Sequence, residues 1–162
     1  MFIKFDDLDK NARVWIYQSS RAFSNNEVEI IKGKTTNFIE NWLRHGDHLK
    51  ASFCIKYNQF VILAVDENFN EVSGCSIDAS VNLIKSLEKD FSVDLTNKLN
   101  ISFKDNSNIN VVSMADFQKY AKQQKITANT IVFNNMVTSK GEFENNWEVT
   151  ADKSWHKRFL VH

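Results

Sequence analysis

"ASFCIKYNQFVILAV", residues 51–65, decides how this chain is read. Its first seven residues alternate, with Phe53 and Ile55 on one side and Ser52, Cys54 and Lys56 on the other. A period of two is the mark of a strand with one face buried. After "NQ" at 58–59, residues 60–65 are apolar at every position. A short run that is apolar on both faces has both faces covered, so it belongs inside a sheet. The stretch therefore predicts a hairpin whose second strand is interior.

The flanks extend that hairpin. "RVWIYQ" (13–18) is rich in β-formers and reads as another strand. Ser24 then opens "SNNE", a capping box in which the Ser and Glu side chains satisfy free amides at a helix start. Val28, Ile31, Thr35, Phe38 and Trp42 follow at helical spacing, predicting a helix over 25–45. Gly46 stands where a left-handed C-terminal residue would end it, and His45 where a cation favours the dipole. Beyond the hairpin, a loop over 66–75 leads to a helix from about Ser76 to Phe91, with Ile77, Val81, Ile84 and Leu87 facing the core.

The last third reads as two short strands, "NISF" and "NVVS", about the turn "KDNSN". A helix capped by Ser113 follows, then a strand in "NTIVFNN". "SKGE" (139–142) is a second capping box before a short helix, and "WEVTA" is a further strand. The tail "SWHKRFL" docks Trp155, Phe159 and Leu160 and leaves His156 and Arg158 on an exposed basic face. Helices and strands in this order imply α+β architecture, with helices packed against a mixed or mainly antiparallel sheet. Neither a repeat nor a linker interrupts it, so residues 1–162 are expected to form a single domain.

Composition narrows the function classes. Of 162 residues, 43% are hydrophobic, with 13 Phe and 4 Trp, so a core needs no staples. Twenty basic and twenty acidic residues balance to zero. That argues against a nucleic-acid or anionic-membrane binder and offers little to keep copies apart, so a homo-oligomer is an expectation. No apolar run is long enough to span a bilayer. The acidic "MFIKFDDLDKNA" is no signal peptide, and two cysteines, Cys54 and Cys75, read as thiols of a cytoplasmic protein. "KGKTT" (32–36) ends like a P-loop, but the required earlier glycine is replaced by Val28 and the stretch lies within a helix. A P-loop ATPase is excluded on that pattern.

The stretch that invites a site is "SGCSIDAS" (73–80), a strand-loop-helix junction. Free amides and the positive end of the dipole favour an anion there. Ser73, Gly74, Cys75 and Ser76 are the candidate ligand residues, with Arg21 a free-standing anion clamp. Cys75 is also a candidate nucleophile, with Asp78 beside it as a second catalytic candidate. The plainer reading has Ser73 or Ser76 capping the helix and Cys75 as a small enclosed filler, slow to react. Asp66, Glu67 and Asp78 are weak candidates for a divalent metal, and "RHGDH" (44–48) a weaker one for zinc. No cofactor motif is present.

"VWIYQSSRAF", "LKASFCIKYNQFVILAVDE", "SGCSIDASV", "NTIVFNN" and "SWHKRFL" together resemble a family of small uncharacterised bacterial proteins, over nearly the whole chain. Members often carry the label "ABC transporter ATPase", which the missing P-loop leaves without physical support. The resemblance implies one complete domain and carries over no catalytic role. The leading expectation is a binding module with a small pocket for a polar or anionic ligand at the helix start. The rivals are a hydrolase using Cys75 or a metal held by Asp66, Glu67 and Asp78, and a protein-interaction domain.

Overall fold

A computed structural model describes residues 1–161 of the chain. Among the described residues, four helices and nine strands give an α+β fold in which every strand pair is antiparallel. The residues group into two compact units. The first holds Met1–Thr96 and Thr138–Gly141; the second holds Asn97–Val137 and Glu142–His162. No helix of the described residues is long and apolar enough to cross a membrane.

The first unit is built on the predicted hairpin. β4 (Ala51–Lys56) and β5 (Phe60–Val65) pair in register from Ala51↔Val65 to Lys56↔Phe60. The turn spans residues 57–59, with Tyr57 and Asn58 at positive φ, and so begins one residue before the predicted "NQ". β1 (Arg13–Gln18) lies on the other side of β5, giving the order β1-β5-β4. All six β5 side chains are fully buried, as an interior strand requires. Its five larger apolar side chains contribute on the order of 10 kcal/mol, before the entropy of ordering them is subtracted.

One face of this sheet carries both long helices. α1 (Asn25–Glu40) begins with the expected capping box, in which Ser24 Oγ accepts from the Glu27 amide and the Glu27 side chain accepts from the Ser24 amide. The Lys32–Thr36 stretch lies inside this helix. α2 (Gly74–Phe91) packs beside it, so that Val28, Ile31, Val61, Ile84 and Leu87 share one cluster. Ile39, Trp42, Leu49, Ala51 and Val65 form another.

Three local readings are corrected. The first helix ends at Glu40, not at residue 45. Gly46 (φ 86°) and His45 (φ 51°) instead turn a small hairpin of β2 (Leu43–Arg44) and β3 (Asp47–His48). A left-handed residue serves a hairpin turn as well as a helix end, so the glycine was ambiguous. On α2, Ser76 and Ser80 are fully buried with Ile84 and Leu87, while Ile77 and Val81 are only half-buried. The buried face thus begins at Ser76, where the indole of Trp42 donates to the helix backbone.

The free edges of this sheet are covered. Beyond β1, the Val14 amide donates to Thr138 O and Arg13 bridges Ser139. Beyond β4, Phe2 bridges Ala51 and the Phe5–Asp7 turn runs alongside. Lys140, only 4% exposed, ties these segments together by donating from Nζ to the carbonyls of Asp6 and Leu8.

The second unit is a sheet of order β7-β6-β8-β9, from β6 (Asn100–Asp105), β7 (Asn108–Ser113), β8 (Ile131–Phe133) and β9 (Glu148–Thr150). α3 (Met114–Lys122) is capped by Ser113, which accepts from the Asp116 amide. It buries Phe117 and Ala121 against Ile101, Ile126 and Val132. α4 (Lys140–Asn146) precedes β9. The tail docks as expected, with Trp155, Phe159 and Leu160 against this core. His156 corrects the expectation of an exposed basic face: it is fully buried, stacked on Trp155 and against Phe117.

Candidate functional site

α2 starts earlier than the sequence indicates, because Ser73 rather than Ser76 is its N-cap. Ser73 Oγ accepts from the Ser76 amide at 3.2 Å. Ser76 is turned inward. Its hydroxyl lies 2.8 Å from Ser73 Oγ and donates to Leu43 O at 2.9 Å. The indole of Trp42 donates to Ser76 O at 2.9 Å. Arg44 reaches Asn70 Oδ1 at 3.5 Å. These ties bring β2, the 66–73 loop and the first turn of α2 together at one end of the first unit.

What remains open at that end is a short list. Gly74, Cys75 and Asp78 are exposed. A side chain built on Gly74 would meet nothing within 4 Å. The amides of Gly74 and Cys75 are first-turn donors with no intrahelical partner, and no described residue accepts from them. Leu43 and Phe69 are 40% and 56% exposed, high values for such side chains. The first turn of the helix thus presents two amides without an acceptor, and the segments tied to it carry two partly exposed apolar side chains. Ser73 and Ser76 both engage their hydroxyls in hydrogen bonds within the fold.

Cys75 is not the enclosed filler of the plainer reading; its thiol stands in solvent. No described hydrogen bond engages it. Cys54 is the shielded one, its thiol pushed up to about 12 by burial. A thiol reagent at neutral pH is therefore expected to modify Cys75 faster than Cys54, on the order of tenfold or more. Mass spectrometry of the first adduct checks this, and prior labelling of Cys54 would contradict it.

The remaining candidates are elsewhere. Arg21 is not free. It pairs with both Glu27 oxygens at 2.8 and 2.9 Å and donates to Phe91 O at 2.7 Å. Phe91 ends α2, so Arg21 sits a helix length of roughly 27 Å from Gly74. Its hydrogen bonds hold the Glu27 carboxyl at about 2. Asp66 is buried, accepts from the Asn68 amide and lies 3.6 Å from Lys50 Nζ. Glu67 accepts from the Val72 amide and faces Arg13 at 3.8 Å. Both carboxylates thus shape the loop. Among the described residues no three His, Cys, Asp or Glu side chains are grouped to hold a metal ion, so Asp66, Glu67 and Asp78 do not form the cluster considered above. His45 and His48 are exposed on the small hairpin.

Sequence reasoning did not find one further feature. A cavity of about 260 Å³ lies in the second unit between the end of α3 and the tail, lined by Ala121, Ile126 and Leu160 with Gln124, Asp152 and Lys157. It contains none of the predicted site residues. Its lining comes from segments far apart in the chain, which no local motif joins. Comparison with protein-family models, curated proteins and solved structures finds no match.

Proposed function

We propose that this chain is a binding module whose contact surface is the exposed start of α2, and that its ligand is a peptide segment of another protein. The segment carries an acidic residue beside apolar ones. The carboxylate accepts from the Gly74 and Cys75 amides at the positive end of an 18-residue helix. The apolar neighbours cover Leu43 and Phe69. The observation that carries this reading is the pairing of two unpartnered first-turn amides with two exposed large apolar side chains on segments tied by hydrogen bonds. The balanced charge of the chain favours a protein over a nucleic acid as the partner. A reduced thiol at Cys75 fits a cytoplasmic setting.

Gly74 allows a clean test. It is the first helical residue, where proline is tolerated, and the extended Ser73 before it suits a following proline. Gly74→Pro removes one amide donor without disturbing the helix. Random peptides selected by display on the native protein should be enriched in acidic-apolar segments. Their affinity should fall roughly tenfold or more in Gly74→Pro, the loss of a charge-assisted bond of about 1.5–3 kcal/mol. Phe69→Ser should weaken them further. The melting temperature of Gly74→Pro should hold or rise. Selected peptides that bind Gly74→Pro and Phe69→Ser as tightly as the parent would sink the proposal.

A further inference from the structure

β7 is an edge strand of the four-stranded sheet. The Met114 amide donates to Leu99 O, and the register runs from Asn100↔Ser113 to Asp105↔Asn108. Bonded pairs alternate along an antiparallel ladder. So Val112, Asn110 and Asn108 bond inward to β6, and the amides and carbonyls of Ile109 and Val111 point outward. No described residue pairs with the outward backbones of Ile109 and Val111, while the Ser113 carbonyl turns into the start of α3. Among the described elements, only β6 and α3 pack against β7 to any extent.

Exposed edges are normally blunted by charge, proline, a bulge, shortness or a covering segment. The other edges of this protein follow that rule. β1 is paired to 138–139, β4 is flanked by the N-terminal residues, and β9 is three residues long. β7 has none of these devices. It is six residues long, its register is unbroken, and residues 106–114 contain no charged side chain and no proline. Its four central residues, Ile109 to Val112, are half-exposed.

We propose that a second copy of this chain occupies the edge, its β7 pairing antiparallel with the first across a twofold axis. The edge suits its own copy. Pairing identical strands usually opposes like charges, and here there are none to oppose. The zero net charge of the chain adds no long-range repulsion between copies. A twofold contact uses the same outward groups on both strands, donors of one meeting acceptors of the other. The two four-stranded sheets then form one continuous sheet of eight.

Sedimentation over a roughly hundredfold range of concentration tests this. The weight-average mass should rise from 18.8 kDa toward twice that value as concentration rises. Val111→Pro removes only an outward amide and leaves the β6 ladder intact, so it should stay at the monomer mass throughout. Ile109→Lys, which places like charges together in the pair, should do the same and guards against loss of folding in the first variant. Circular dichroism of both should match the parent. A parent that is monomeric at every concentration overturns the proposal, whether the edge is left open or taken by another protein's strand. A folded Val111→Pro or Ile109→Lys variant that still doubles its mass overturns it as well.

Discussion

Replacing Trp42 with alanine is expected to destabilise the protein by about 3–5 kcal/mol. The indole is 2% exposed, tilted against Phe38 at 5.0 Å and Trp15 at 6.3 Å. It also donates to Ser76 O, so it joins the end of α1 to the start of α2. Trp42→Phe keeps most of the packing and removes the indole N–H bond to the Ser76 carbonyl. Its cost is expected to be smaller, about 1–2 kcal/mol. Denaturant unfolding monitored by circular dichroism measures both. A Trp42→Ala cost below that of Trp42→Phe would show that the indole is not the wedge that holds these helices.

Acidification from pH 7 toward pH 4 is expected to remove about 3 kcal/mol through one histidine. His156 is fully buried, with Nδ1 2.7 Å from Ser154 Oγ and Nε2 unpartnered. Burial lowers its pKa from 6.5 to about 4, and the nearby charge of Arg158 adds to the effect. The unfolded chain therefore binds the proton more readily than the folded one. The stability is fully present above about pH 6.5 and is lost as pH falls toward 4. His156→Phe keeps an aromatic ring beside Trp155 and should flatten this part of the profile. Urea midpoints of parent and variant between pH 7 and 4 give the comparison. Parallel profiles would contradict the assignment.

The sequence made the elements legible where a period and a cap agreed. Val28, Ile31 and Thr35 behind the Ser24–Glu27 box placed α1, and six apolar residues in a row placed β5 inside its sheet. Its readings failed where one residue type serves two geometries. Gly46 suited a helix end and a hairpin turn alike, and only the packing of Trp42 decided between them. Ser73 and Ser76 were equally good caps, and the choice sets whether Cys75 points into the core or out of it. His156 lies in a 3-10 turn three residues before Phe159, so both rings face Phe117, a contact that its basic residue type did not reveal. Arg21 looked free because its partner at the end of α2, Phe91, is seventy residues away. Nor does any local pattern tell that β7 is an edge, since strand order is a property of the whole sheet.

The exposed start of α2 is tested most directly by backbone NMR. A peptide from the display selection is titrated into the uniformly labelled protein, and every amide is followed. The largest saturable shifts should fall on the Gly74 and Cys75 amides, with Leu43 and Phe69 moving at the same midpoint and Gly33 and Gly46 still. Shifts centred on Ala121, Ile126 and Leu160, with Gly74 and Cys75 unmoved, would contradict it and place binding at the cavity of the second unit.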